Sequence, residues 1–178
     1  PDRLRHGNRL EFNILVAGVK FLSRRHPTQG RHRIKPISSN TNPAADTLYW
    51  DQEHLFTDSA QQWLLTVGVA DPSKPVKITL AWSDAAGAVG ANPALVNNLD
   101  LTVVNGANSY KGNVFSSGWS ATGGTADIRN NLENVYIQTP AFSAPLAGDL
   151  QITVNATNIA GDAVLGNADT TDQSFVLI

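Results

Sequence analysis

The stretch VKITLAW, residues 76–82, alternates apolar side chains with others along its whole length. One side of this stretch carries Val76, Ile78, Leu80 and Trp82. A period of two residues is typical of a β-strand with one buried face. The stretch therefore predicts a strand whose buried side includes Trp82.

The same period recurs further along the chain, in LDLTVV at 99–104 and LQITVNA at 150–156. Turn-forming pairs such as Asp71-Pro72 and Asn105-Gly106 separate these short segments. We predict eight strands, at 48–56, 61–69, 76–83, 99–104, 109–111, 134–138, 149–156 and 174–178. Short strands at such spacing indicate an all-β fold, an antiparallel β-sandwich, rather than a parallel sheet covered by helices. Long loops are expected at 84–97 and 112–131.

The first 45 residues differ from the rest of the chain in composition and in the spacing of their apolar residues. The segment 11–22 spaces Phe12, Leu15, Val16, Val19 and Leu22 as on one helical face, which predicts a possible helix, although its β-branched residues also permit a strand. Residues 23–43 are rich in Arg, His, Pro, Ser and Asn and have no period, as in a linker. We therefore divide the chain into a basic extension or linker, 1–45, and a single β domain, 46–178.

Charge is distributed unevenly between these two parts. Residues 1–35 hold nine of the thirteen Lys and Arg but two acids, whereas the β domain is acidic. A basic segment is a potential nucleic-acid contact, but no aromatic residues interleave its charges as a single-strand binding surface requires. We expect it to lie against the acidic body or a neighbouring domain, and we expect no nucleic-acid partner.

Several classes of function are disfavoured by what the sequence lacks. It contains no cysteine, so disulfides, thiolate metal sites and cysteine catalysis are excluded. It has no apolar run of 18 residues, and we expect no membrane partner. The motifs GxSxG, HExxH and the P-loop are absent. The β domain has one histidine, His54, in an acid-flanked position typical of a surface residue. We therefore expect no catalytic residues in this chain.

Side-chain oxygens crowd into three places at predicted strand ends: Ser83-Asp84, 97–100 and 127–134. Calcium takes six to eight oxygen ligands from carboxylates, amides and backbone carbonyls, and loops bring such oxygens together readily. The alternative is that Asp and Asn form Asx turns and cap strand ends. Both interpretations remain open on composition alone.

The chain also carries a series of longer motifs in order. They are VKITLAWSDAAG (76–87), ALVNNLDLTVV (94–104), YKGNVF (110–115), DIRNNLENVYI (127–137), GDLQITVNATNI (148–159) and QSFVLI (173–178). Together they resemble the C-terminal β-jelly-roll domain of bacterial subtilisin-like serine proteases, over about 47–178. The sequence departs from that pattern at Val114, where the family has Asp, and at Ala86, where it has Pro.

The resemblance implies an eight-stranded jelly roll similar to the P domain of proprotein convertases, secretion, and calcium as cofactor. It places the calcium-site oxygens on Asn97, Asn98 and Asp100, with Asp127, Asn130 and Asn131 nearby. Because the usual Asp is Val114, a second calcium site is not expected.

The function expected from this resemblance is that of a non-catalytic, calcium-binding domain of a secreted subtilisin-like protease. Its expected partners are the catalytic protease domain of the same polypeptide and protein substrate. The alternative is a carbohydrate- or protein-binding module of another secreted multidomain hydrolase. Trp50 and Trp119 are then the candidate stacking residues, although tryptophans are more often buried anchors.

Overall fold

A computed structural model of the protein describes residues 15–16, 19–22, 50–69, 74–138 and 149–178. These residues form eleven strands and no helix. The strands are β1 (Leu15–Val16), β2 (Val19–Leu22), β3 (Trp50–Phe56), β4 (Gln62–Val69), β5 (Val76–Ala81), β6 (Asn98–Asn105), β7 (Asn108–Ser116), β8 (Trp119–Thr122), β9 (Leu132–Ile137), β10 (Asp149–Asn158) and β11 (Gln173–Leu177). Each of the eight predicted strands is present, with shifted ends. In the described part of the chain, no helix is long and apolar enough to cross a membrane.

The strands form two antiparallel sheets. The larger sheet has the order β1-β2-β4-β10-β6-β7-β8, and the smaller sheet has the order β3-β11-β5-β9. Eight of these strands form nested pairs, β3 with β11, β4 with β10, β5 with β9 and β6 with β7. Such nesting is what results when one long antiparallel hairpin is rolled into two sheets, which is a jelly roll. The all-β sandwich predicted from the sequence is confirmed.

The core lies between the two sheets and follows the predicted alternation. The larger sheet contributes Leu99, Leu101, Val103, Leu150, Ile152 and Val154, and the smaller sheet contributes Ile78, Leu80, Val135, Ile137, Phe175 and Leu177. Trp82, immediately after β5, is also buried, as predicted. Its indole Nε1 donates a hydrogen bond to the backbone oxygen of Asn97, at 3.1 Å.

The helix predicted over 11–22 is wrong where the structure describes this segment. Leu15–Val16 and Val19–Leu22 are strands, and β2 pairs with the edge of β4. An exposed strand edge offers a row of unpaired backbone groups, and the valines of this segment favour strands over helices. Backbone pairing with β4 therefore outweighs the helical spacing. The rest of the predicted extension, and residues 46–49 of the predicted β domain, lie outside the described residues.

The predicted loop 112–131 contains a strand that was not predicted from the sequence. β7 continues to Ser116, and β8 returns along it after a two-residue turn at Ser117 and Gly118. Both turn residues have positive φ, 52° and 82°, as in a type I′ hairpin. This hairpin extends the larger sheet at the edge that lies next to β9.

Candidate functional site

A carboxylate lies in the core between the sheets. β9 alternates so that Glu133 falls on the same inner face as Val135 and Ile137, and Glu133 is 1% exposed. Its Oε2 accepts a hydrogen bond of 2.6 Å from the backbone N–H of Leu101, and its Oε1 has no hydrogen-bond partner. Buried acids are almost always paired, so an acid left half-satisfied marks a site with a missing partner.

The backbone of β7 makes room for this side chain. A Cβ atom at Gly112 would lie 2.1 Å from Oε2 of Glu133 and 2.7 Å from its Cβ. The pairing of β6 with β7 ends at Thr102 and Lys111, so the Leu101 amide lies one residue beyond the last paired position. Asn113 then has a φ of 60°, and the β7–β8 register shifts across it. This irregularity opens the edge of β6, and Glu133 occupies the opening.

We expect Gly112→Ala to lower the free energy of unfolding by about 1–3 kcal/mol, the usual cost of overfilling a packed interior. The alanine methyl group would overlap both the carboxylate and the Cβ of Glu133. Urea titration measures the effect. In a Glu133→Ala background the same change should cost less, because most of the clash is removed. A Gly112→Ala protein as stable as the parent would show that Glu133 lies elsewhere.

Two polar side chains, Asn98 and Asp100, come from β6, and the negative charge of Asp100 acts on Glu133. Asn98 is 9% exposed, and its Oδ1 has no hydrogen-bond partner, while its Nδ2 reaches Asp100 Oδ1 at 3.4 Å. The other oxygen of Asp100 accepts a hydrogen bond from the hydroxyl of Thr157. The unpartnered oxygens of Asn98 and Glu133 thus belong to β6 and β9, which lie in different sheets.

The electrostatics of the site are unfavourable for a free carboxylate. Burial raises the pKa of Glu133 to about 8, and the negative charges of Asp100 and Asp127 add to this, against the opposing hydrogen bond from Leu101. Glu133 therefore holds its proton at neutral pH unless a positive charge enters the site.

Asp127 forms an adjoining turn. Its Oδ1 accepts hydrogen bonds from the backbone amides of Arg129 and Asn130, and its Oδ2 accepts from the side-chain amides of Asn130 and Asn113. Burial alone would raise the pKa of Asp127, but these hydrogen bonds together lower it below its ordinary value. Asn113 also donates to the backbone oxygen of Leu132, at 2.8 Å. The turn is therefore tied to the start of β9, next to Glu133.

Two of the six residues expected at the site have structural roles. The side chain of Asn97 is fully buried, accepts from the amides of Ala160 and Gly161, and donates to the backbone oxygen of Asp172. Asn131 donates its side-chain amide to the backbone oxygen of Trp82, at 2.9 Å. These amides fasten loops to the sandwich. Asn98 and Asp100 lie on β6, from where the charge of Asp100 acts on Glu133, and Asp127 and Asn130 lie in the turn before β9.

Within the described ranges, no three carboxylate or imidazole side chains converge as a metal group. A cation here would therefore have fewer than three charged ligands and would need amide and backbone oxygens in addition. Calcium accepts such a mixed oxygen shell, whereas zinc and copper prefer nitrogen and sulfur.

Asp84, in the first of the three oxygen-rich places, closes a loop. Its carboxylate accepts hydrogen bonds from the backbone amides of Ala85, Val96 and Asn97, at 2.8–2.9 Å. Both oxygens are occupied in fastening the two ends of the loop that runs between them. Asp84 is thus a loop anchor.

The aromatic residues considered for sugar stacking are partly buried. Trp50 meets Trp63 edge-on, with ring centroids 6.1 Å apart, and packs against the core. Trp119 is half-buried at the start of β8. His54 is half-buried between Phe56 and Phe175, and burial lowers its pKa. These contacts give Trp50 and His54 a place in the packing.

The burial of Glu133 was not predicted from the sequence. In LENVYI, at 132–137, Glu133 is in phase with Val135 and Ile137, and that phase was the available signal. The sequence matches no known protein-family model and no curated protein. The candidate site is therefore interpreted from its own carboxylate and amide oxygens, which are of the kind that a hard cation such as calcium takes.

Proposed function

We propose that this chain is a non-catalytic, calcium-binding β-jelly-roll domain of a secreted subtilisin-like serine protease of bacterial type. Its role is to stabilise the enzyme, and a contribution to binding protein substrates is proposed with it. The observation that carries the calcium part is the buried carboxylate of Glu133, which has one unpartnered oxygen and is acted on by the negative charge of Asp100.

The side-chain oxygens of the site are of the kind that calcium takes. Asp100 and Glu133 would supply charged ligands, and the unpartnered Oδ1 of Asn98 would supply a neutral one. A calcium ion supplies the positive charge that lets Glu133 ionise in the core. The turn at Asp127 and Asn113 would hold the backbone around the site in place. Binding would join β6 of the larger sheet to β9 of the smaller one.

The protease part of the proposal is supported by the order of the motifs on the fold. The motif strands at 76–81, 98–105, 132–137 and 149–158 lie in the nested pairs of a jelly roll, as the resemblance implies. The gene sequence that precedes Pro1 in the natural protein tests it. A subtilisin-like catalytic domain is expected there. A glycoside hydrolase domain would instead favour the carbohydrate-binding alternative.

Calcium should raise the melting temperature of the domain. A ligand that binds only the folded state adds about 2.7 kcal/mol at one hundred times its dissociation constant. For a domain of this size this is a rise of roughly 5–11 °C. Differential scanning calorimetry in chelator and in millimolar calcium measures it. Magnesium should replace calcium poorly, because it requires a tighter octahedral shell.

Matched variants locate the site. Asp100→Asn should abolish most of the calcium-dependent rise, whereas Asp149→Asn, at the exposed start of β10, should leave it intact. Equal melting temperatures of the parent chain in chelator and in calcium would contradict the calcium proposal.

A further inference from the structure

The outer edge of β9 is closed by side chains instead of by another strand. β9 is the last strand of the smaller sheet and, among the strands that the structure describes, it pairs with β5 alone. A strand edge without a pairing strand leaves backbone N–H and C=O groups that need other partners. Asn113 Oδ1 accepts a hydrogen bond from the backbone N–H of Asn134 at 3.0 Å, and the hydroxyl oxygen of Ser120 accepts one from the backbone N–H of Tyr136 at 2.9 Å. The hairpin β7–β8 thus supplies two acceptors to this edge.

The carboxamide of Asn113 takes the place of a strand backbone. Its Nδ2 donates a hydrogen bond to the backbone oxygen of Leu132 at 2.8 Å, while its Oδ1 accepts the one from Asn134. In a parallel sheet, one residue of the neighbouring strand bonds in the same way to the oxygen of one residue and to the N–H two residues further on. A carboxamide carries the donor and the acceptor of a peptide group. Asn113 therefore pairs with β9 on both sides of Glu133 along the chain.

The backbone of β7 presents this carboxamide in a fixed orientation. Asn113 has a φ of 60°, in the left-handed region that asparagine adopts more readily than most residues. Its Nδ2 also donates to Asp127 Oδ2, at 2.7 Å, so both of its N–H groups and its oxygen are used. The preceding residue is Gly112, whose backbone packs directly against the side chain of Glu133. The pair 112–113 therefore contacts both the carboxylate and the strand that carries it.

Glu133 depends on this contact because its hydrogen bond crosses from one sheet to the other. Its Oε2 lies 2.6 Å from the backbone nitrogen of Leu101 on β6, whereas its own strand belongs to the smaller sheet. A bond of this length requires β9 to be held at one distance from the larger sheet. The hydrogen bonds of Asn113 provide this at the two residues next to Glu133, while that of Ser120 lies three residues away, at Tyr136.

We propose that Asn113 is the positioning residue of the buried carboxylate: its carboxamide joins β9 to β7 on both sides of Glu133 and so holds the carboxylate against the amide of Leu101. On the proposed function, on which the calcium part of this inference rests, Asn113 sets the affinity for calcium without being a ligand of the ion. Ser120 closes the same edge but does not place the carboxylate.

Asn113→Gly tests this role, because glycine retains the left-handed backbone while the carboxamide is removed. Ser120→Ala is the matched control, since it removes one hydrogen bond from the same edge of β9. The first measurement is hydrogen exchange of individual amides, followed by NMR in chelator. Rates are compared with those of the slowest amides of each protein, so that a general loss of stability is not mistaken for a local one.

In Asn113→Gly, the amides of Leu101 and Asn134 should exchange at least about tenfold faster relative to this reference, because local opening no longer breaks the bonds of the carboxamide. In Ser120→Ala, the amide of Tyr136 should exchange faster and that of Leu101 should not. Asn113→Asp is a second variant in case the glycine protein does not fold. It retains an acceptor but has no N–H to donate to Leu132, and it should also accelerate exchange at Leu101.

The second measurement is calcium binding by titration calorimetry. The dissociation constant of Asn113→Gly should be about tenfold to a hundredfold higher than that of the parent chain, as is usual when an outer partner of a metal ligand is removed. That of Ser120→Ala should be unchanged.

An unchanged relative rate at Leu101 in Asn113→Gly, or an equal acceleration there in Ser120→Ala, would overturn the positioning role. Faster exchange at Leu101 with an unchanged affinity for calcium would overturn the role of Asn113 in calcium binding. A parent chain that binds no calcium, with Leu101 accelerated in Asn113→Gly alone, would support the positioning of Glu133 and refute the proposed calcium function.

Discussion

Replacing Trp82 by alanine should lower the free energy of unfolding by about 3–5 kcal/mol, the usual cost of emptying a large aromatic site in a core. Trp82 is buried beyond the end of β5, and its indole N–H is hydrogen-bonded to the backbone oxygen of Asn97. The substitution removes both the packing and this bond. Urea titration followed by circular dichroism gives the change.

Trp119→Ala provides the matched comparison, because the same side chain is removed from a half-buried position on the edge strand β8. Its cost should be clearly smaller than that of Trp82→Ala. A loss below about 1 kcal/mol at Trp82, a value more typical of surface substitutions, would mean that its indole ring is not part of the core.

The domain should lose stability as pH rises through the neutral range when calcium is removed by chelator. The pKa of Glu133 in the folded state is about 8, above its ordinary value of 4.5. The folded protein therefore holds a proton that the unfolded chain has released. The stabilisation that comes from the proton on Glu133 is complete below pH 4.5 and is lost as pH rises through 8. Between these values the slope for one proton approaches about 1.4 kcal/mol per pH unit.

Glu133→Gln isolates this contribution from other titrating groups. His54, whose pKa is lowered by burial, stabilises the fold above its ordinary pKa and gives the opposite slope as pH falls below it. The variant retains this His54 effect but lacks the Glu133 effect. In chelator, the difference in unfolding free energy between the parent and Glu133→Gln should change by several kcal/mol from pH 5 to pH 9, with the variant favoured at high pH.

Calcium should reverse this order, because the ion binds the carboxylate and not the amide. At pH 9 in millimolar calcium the parent should be the more stable protein, and Glu133→Gln should show little response to the ion. A pH profile that is the same for the two proteins in chelator would mean that Glu133 is solvated and ionised.

The strands could be predicted from the sequence because a half-buried strand leaves a period of two that needs no tertiary knowledge. VKITLAW and LQITVNA show it directly. β8 was missed because its signal, Ser117-Gly118, stands in a run of small polar residues that looks like a loop. The segment 11–22 was misassigned because its valines fit a helical spacing as well as a strand. Pairing with the edge of β4, which is distant in sequence, determines that the segment is a strand.

The site was only partly predictable for a related reason. Asn97 and Asn98 are adjacent residues of the same type. The side-chain oxygen of Asn97 accepts hydrogen bonds from the backbone amides of Ala160 and Gly161, whereas that of Asn98 has no hydrogen-bond partner. Their difference arises from which loop lies opposite each side chain. The burial of Glu133 could have been predicted, because this residue alternates in step with Val135 and Ile137. An acid at such a position either is buried or shows that the inward face of the strand has been assigned wrongly.

The nesting of the strands also has a consequence for how the chain folds. In the described part of the chain, β1 and β2, β6 and β7, and β7 and β8 pair through short turns, whereas β3 must meet β11 across more than half of the sequence. Non-local pairing has to overcome loop-closure entropy first, so such topologies fold in milliseconds to seconds. We expect the hairpin of β6 and β7, which turns at Gly106 and Ala107, to form early, with pairing then extending outward to the chain ends. β11 lies between β3 and β5 in the smaller sheet, so on a ribosome that sheet cannot close until Gln173–Leu177 has emerged.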